Sequence, residues 1–172
     1  MPTQDLARDI NAAARLTGTF VLRSGQTSSQ YFDKYRFEAD PKLLRRIASR
    51  MLDLLPPDTE VLAGLELGGV PIATAMSLES GLPVVFVRKE AKTYGTCRAV
   101  EGGEVRGRRT VIVEDVISTG GAVVDAGALL RESGADLIAV VCAIWRGEGA
   151  PSIAALPAVP VRPAFTAADL AG

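Results

Sequence analysis

Histidine is missing from all 172 residues. Its absence removes the commonest general base at neutral pH and the commonest zinc ligand, so acid or base chemistry must come from carboxylates, lysine, tyrosine or bound solvent. Cysteine is scarce, with Cys97 in a polar segment and Cys142 inside an apolar run. That spacing makes neither a metal-ligand set nor a disulfide framework, and both are expected to be free thiols. No apolar stretch reaches the roughly 18 residues that a spanning helix needs, and the first residues lack the basic-then-apolar pattern of a signal peptide. A soluble, cytoplasmic chain with no membrane partner is expected. Charge of one sign is lacking as well: 19 Lys and Arg face 20 Asp and Glu, for a net charge of -1. With no run to track a polyphosphate, nucleic acid is a poor partner, although a local basic cluster still suits a small anion. There is no internal repeat and no low-complexity linker.

What is present is a hydrophobic content of 48%, enough for one core and one domain over residues 1–172. Thr3 can cap a helix over residues 4–16, with Leu6, Ile10, Ala13, Ala14 and Leu16 near helical spacing and Gly18 as its stop. Residues 19–22 and the pair Tyr31-Phe32 read as extended pieces about the polar turn Ser24-Gly25-Gln26-Thr27. Asp40-Pro41 starts a helix carrying Leu43, Leu44, Ile47, Met51, Leu54 and Leu55, stopped by Pro56-Pro57. Strands over 61–65, 84–87, 110–113 and 137–144 then alternate with helices over 70–79 and 121–133, with a long loop over 88–108. Short apolar runs alternating with helical segments predict an α/β fold, a mostly parallel sheet flanked by helices. Beyond Ala150 the pattern is weak, with one strand near Val159 to Val161 and a short helix after Thr166. In open sheets of this kind ligands lie beyond the carboxyl ends of the strands, so the residues following Leu65, Val87, Val113 and Ile144 are the ones to share a cleft.

The third of these strands delivers Glu114-Asp115 directly into Val116-Ile117-Ser118-Thr119-Gly120-Gly121. A phosphate fits the free N–H groups at the start of the helix from Gly121 and Ala122, helped by the helix dipole and the hydroxyls of Ser118 and Thr119. Two carboxylates beside that cradle repel a triphosphate but suit ribose hydroxyls and a bridging Mg²⁺. A ribose phosphate satisfies both halves; the plainer alternative is an acidic strand end before an ordinary turn. Two other phosphate motifs are excluded. Gly64-Leu65-Glu66-Leu67-Gly68-Gly69 has Walker A glycine spacing, but Val70-Pro71 stands where Lys and Ser or Thr are required, and no Rossmann glycine fingerprint occurs.

The string over 111–121 closely resembles the phosphoribosyl pyrophosphate (PRPP) signature of type I phosphoribosyltransferases. Three further segments narrow the likeness. Arg88-Lys89-Glu90-Ala91-Lys92-Thr93-Tyr94-Gly95 is similar to the catalytic loop of the orotate phosphoribosyltransferases. Arg23-Ser24-Gly25, leading to Tyr31-Phe32-Asp33, resembles their base-covering flap, and Arg146 resembles the arginine that reads the orotate ring. Read without the family, these are a solvated charge run, a hairpin covering the core and a surface arginine. The likeness spans most of residues 15–146, with Tyr94 where many members carry a histidine and Gly68 where many carry a pyrophosphate-binding lysine.

The resemblance implies transfer of phosphoribosyl from PRPP to orotate, giving orotidine 5'-monophosphate and pyrophosphate. Lys92, Asp115 and Glu114 take catalytic roles. Arg88, Lys89, Lys92, Glu66, Leu67, Gly68, Gly69, Glu114, Asp115, Ser118, Thr119, Gly120, Gly121 and Ala122 hold PRPP and pyrophosphate, while Arg23, Tyr31, Phe32, Ser118 and Arg146 hold orotate. Mg²⁺ is the implied cofactor, held mainly through PRPP. Also implied are a hood made of residues 1–40 and the C-terminal tail, and a homodimer whose 88–108 loop closes over the neighbouring site. The alternatives are a transferase for another nucleobase and a non-catalytic PRPP-binding regulator.

Overall fold

The computed structural model describes residues 3–22, 24–90 and 98–171. Helix α1 (Thr3–Ala14) turns Leu6, Ala7, Ile10 and Ala14 inward at helical spacing. It stops at Ala14, short of the expected end, because strand β1 (Arg15–Val21) pairs antiparallel with β2 (Thr27–Phe32). Cross-strand pairing claims Leu16, opposite Tyr31, and Gly18 lies inside β1 instead of ending the helix.

Helix α2 (Tyr35–Ala39) was not foreseen, since five residues are too few to show a period; the fully buried Phe37 anchors it. Helix α3 (Pro41–Leu52) begins as expected. The Asp40 carboxylate accepts from the N–H groups of Lys42 and Leu43 at 2.8 and 3.2 Å, and Pro41 occupies the first turn, where its missing N–H costs nothing.

The main sheet follows. It comprises β3 (Val61–Leu65), β4 (Val84–Val87), β5 (Val100–Glu101), β6 (Arg109–Ile117), β7 (Asp136–Trp145) and β8 (Val161–Thr166). Its order is β5-β4-β3-β6-β7-β8, parallel throughout except for β5 on β4. Helices α4 (Gly69–Ser80) and α5 (Gly121–Glu132) cover opposite faces. One core packs Ile10, Ile47, Ile72 and Met76 against Val113 and Val141; the other packs Val123, Leu130 and Ile153 against Ile112 and Val140.

Further boundaries depart from the sequence reading, among them the end of α3 at Leu52, short of Leu54 and Leu55. The expected 88–108 loop contains β5, a two-residue strand invisible to pattern. Strand β6 runs on to Ile117, which places Glu114 and Asp115 inside it. Strand β8 begins at Val161, and a turn, not a helix, follows Thr166. Cys142 is a buried free thiol, and Cys97 lies outside the described residues. None of the described helices is long and apolar enough to cross a membrane.

From β3 the chain moves outward to β4, then returns to β6 on the other side of β3. The strand order therefore reverses between β3 and β6, and a crevice opens at their carboxyl ends.

Candidate active site

Residues 118–120 turn β6 into α5, and Gly120 makes the turn with φ +80°, a left-handed conformation open to glycine at little cost. No side chain caps α5. Its first N–H groups thus face the cleft, of ≈ 200 Å³, lined by Glu114, Val116, the exposed Ser118 and Thr119, and Gly120 to Val123. The inward alternation of β6 slips at the two acids: Ile112 and Ile117 belong to one core, Val113 and Val116 to the other. Consecutive strand residues normally point to opposite faces. The slip lies where Glu114 and Asp115 stand, both buried, at 7% and 1% exposure.

The 66–69 turn closes the other side, and its Glu66–Leu67 peptide is cis. Both glycines of this turn are held against β6. A Cβ on Gly69 would lie 2.3 Å from the Val113 carbonyl oxygen, and one on Gly68 would meet the Asp115 carboxylate. Backbone is therefore all that residues 68 and 69 present there. Leu67 is exposed at the tip.

Two residues that sequence reasoning missed complete this corner. Lys34, at the start of α2, forms an ion pair with Asp115 Oδ2, and Glu38, one helical turn later, is buried beside them. Their one visible signal was a pair of charges four apart in a short aromatic stretch. Burial first, then hydrogen bonding to Asp115 and its charge, push the Glu38 carboxyl up to about 9. Burial and the Asp115 charge push Glu114 up to about 8. For Asp115, burial pulls upward, but hydrogen bonds with Glu38 and Lys34 and the lysine charge outweigh it and hold the group below its ordinary value. Burial likewise opposes the Lys34 charge, and the Asp115 partner overcomes it and raises the group. Glu114 Oε1 accepts from the Asp115 N–H at 2.9 Å, and Asp115 Oδ1 accepts from the N–H of Val116.

Arg88 and Lys89 leave β4 into a neighbouring cleft of ≈ 470 Å³ that they share with Leu65, Glu66, Thr119, Gly121 and Ala122. Glu66 Oε1 accepts from the Lys89 N–H at 2.8 Å, tying the two turns together. Arg23, Lys92 and Tyr94 lie outside the described residues.

On the remaining side, the Arg146 guanidinium stands over the Phe32 ring, 5.5 Å from its centroid. The Arg146 N–H also donates to Ile117 O at 2.7 Å, which fixes this residue beside the end of β6. Phe32 leans on Phe37, whereas Tyr31 stacks on Phe20 with 5.5 Å between centroids. Strand alternation thus joins Phe32, but not Tyr31, to Arg146.

Among the described residues no group of three or more His, Cys, Asp or Glu side chains could hold a metal. Glu114 brings one hard oxygen donor to the cleft, while both Asp115 oxygens are engaged by Lys34 and the Val116 N–H, so the residues suit only Mg²⁺ arriving with phosphate and water ligands of its own.

The chain matches the phosphoribosyl transferase domain family over residues 35–158. It is 56% identical over 165 residues to an orotate phosphoribosyltransferase of Nocardioides sp., covering 96% of this chain and 92% of that one. Among solved structures, Mycobacterium tuberculosis H37Rv orotate phosphoribosyltransferase with Fe(III) dicitrate superposes with a TM-score of 0.84 at 29% identity, covering 98% and 99% of the two chains. The same protein in complex with PRPP gives a TM-score of 0.79 at 26% identity, covering 99% and 100%.

Proposed function

The chain belongs to the phosphoribosyl transferase family and, within it, to the orotate phosphoribosyltransferases, and on that premise we propose how its own residues join orotate to PRPP. One observation carries the reading: Arg146, held to Ile117 at the end of β6, sets a cation and the face of Phe32 next to the Ser118-Thr119-Gly120-Gly121 turn. A flat anionic base and a sugar phosphate are thereby recognised on adjoining strand ends.

The 5-phosphate of PRPP sits on the N–H groups of Gly120, Gly121 and Ala122 and the hydroxyls of Ser118 and Thr119. Glu114 and Asp115 accept hydrogen bonds from the ribose hydroxyls. The backbone of residues 66–69 lines the pyrophosphate, and Arg88, Lys89 and Lys92 neutralise it. Arg146, with Arg23, pairs with the orotate charge while Phe32 covers the ring, Tyr31 bracing the flap through Phe20; Ser118 stands between base and phosphate. A ring nitrogen of orotate bonds to C1 of the ribose as the bond from C1 to the pyrophosphate oxygen breaks, yielding orotidine 5'-monophosphate and pyrophosphate. Orotate is already an anion, so the lack of histidine costs the reaction no base. Positive charge grows on the sugar ring and negative charge on the leaving group, which the acids and cations respectively face. Mg²⁺ bound through PRPP supplies further charge neutralisation of the pyrophosphate.

Within a single domain, the β1–β2 hairpin forms the hood over the base, the C-terminal residues being taken up by β8 and the core. A cytoplasmic homodimer, with Lys92 reaching the partner's site, completes the proposal. Pyrophosphate release from PRPP and Mg²⁺, assayed with each nucleobase in turn, tests it; orotate is the base expected to react.

A further inference from the structure

Asp115 is the most deeply buried charged group of the site, at 1% exposure, and it stands between two other carboxyl groups, Glu114 and Glu38. Burial and the Asp115 charge keep its two neighbours protonated, so Asp115 carries the charge of the cluster, and a buried carboxylate without a cation is costly. Among the described residues the ion pair to these acids comes from Lys34. That lysine belongs neither to the sheet nor to the turns that form the crevice. It lies between β2, which carries Phe32, and α2, where Asp33 Oδ1 accepts from the Tyr35 N–H at 3.2 Å and the Lys34 carbonyl accepts from Phe37 and Glu38. Its ammonium lies 5.3 Å from the Tyr35 ring centroid, so both head and flank of the side chain are engaged. The Lys34 side chain keeps 34% exposure while its partner has almost none. The pair thus runs from the interior to the solvent-exposed side of α2.

Resting on the reading above, we infer that Lys34 is a positioning residue for PRPP: its ammonium fixes the Asp115 carboxylate against the 66–69 turn, and Asp115 in turn fixes the ribose. Gly68 makes this arrangement possible, because the absence of a side chain there leaves the carboxylate its place. Without the lysine, Asp115 loses the cation paired with its Oδ2 and keeps only neutral hydrogen-bond partners, so it either turns away or takes a proton; both outcomes remove an acceptor from the ribose hydroxyls.

Titration calorimetry with PRPP and Mg²⁺, combined with initial rates, tests the role. Lys34→Met should weaken PRPP binding about tenfold or more, the size of one charge-assisted hydrogen bond. The orotate KM should stay within about twofold, the scatter expected of an uncoupled site, and Lys34→Arg should recover most of the PRPP affinity. In an Asp115→Asn background Lys34→Met should cause no further loss, because the residue acts through Asp115. PRPP affinity in Lys34→Met within about twofold of the parent overturns the inference, as does an equal loss in the Asp115→Asn background. If Lys34→Met does not fold by circular dichroism, Lys34→Gln, which keeps a donor without the charge, carries the same comparison. PRPP affinity does not depend on which base reacts. A parent chain that binds PRPP but leaves orotate unreacted therefore sinks the base assignment, whereas unchanged affinity in the Lys34 variants sinks this inference.

Discussion

A Cβ placed on Gly68 would fall 1.6 Å from Asp115 Oδ2, so the carboxylate occupies the space that any side chain at residue 68 would need. Asp115 has little freedom to yield, being buried and paired with Lys34. Gly68→Ala is expected to push the carboxylate off its lysine, with overpacking costing about 1–3 kcal/mol of stability. The PRPP KM should rise while the orotate KM changes less. Urea denaturation and initial-rate kinetics check the two effects; a variant equal to the parent in both would show that Asp115 has another place to go.

Arg146 and Phe32, in contact at 5.5 Å, form the proposed base side. The stacked contact alone is worth about 0.5–1 kcal/mol at an exposed position, but truncating the arginine also removes the cation that an anionic base requires. Arg146→Ala should therefore raise the orotate KM by about tenfold or more, leave PRPP affinity near the parent value, and barely move the melting midpoint. A larger effect on PRPP than on orotate would place the base elsewhere.

The acid cluster gives the folded protein a pH signature. Glu38 and Glu114 ionise from an ordinary value of 4.5 in the unfolded chain but keep their protons to about 9 and about 8 when folded. Between those limits the unfolded state binds fewer protons, so stability falls as pH rises from 4.5 toward about 9. Asp115 works in the opposite sense. Its contribution is present above its ordinary 3.8 and is lost as pH falls through its lower folded value, so it is constant across this window. Lys34, raised above 10.5, loses its contribution only at still higher pH. Melting midpoints of the substrate-free protein should decline across the window, and Glu38→Gln should flatten the decline. An unchanged slope in that variant would remove Glu38 as its source.

Asp40 supplies a control remote from the reacting groups. Losing its cap on α3 should cost about 1 kcal/mol in Asp40→Ala, visible in denaturation, with kcat/KM for both substrates retained.

Much of this was legible in the chain because the informative residues are contiguous. Val61–Leu65 is a buried run and Val84–Val87 an alternately buried one, and both fall where the pattern places them. Glu114, Ser118, Thr119 and Gly120 sit in one short string, so a strand end and a helix start were enough to bring them to one cleft. Lys34 and Glu38 were not legible, because α2 has five residues and its partner Asp115 lies on a distant strand. Gly18 was misread as a helix stop because hairpin pairing, a longer-range interaction, overrode local spacing. The Phe32–Arg146 contact joins β2 to the end of β7 and was reachable only through the family likeness; the separation of Tyr31 from it follows from strand alternation.

The most direct test of the central claim is the specificity constant for a panel of bases with saturating PRPP and Mg²⁺. Orotate should react with stoichiometric release of pyrophosphate, and its kcat/KM should exceed those of uracil, adenine, guanine and hypoxanthine by about a hundredfold or more, since a site built around Arg146 penalises bases lacking the matching charge. Orotate left unreacted while another base is consumed would contradict the account.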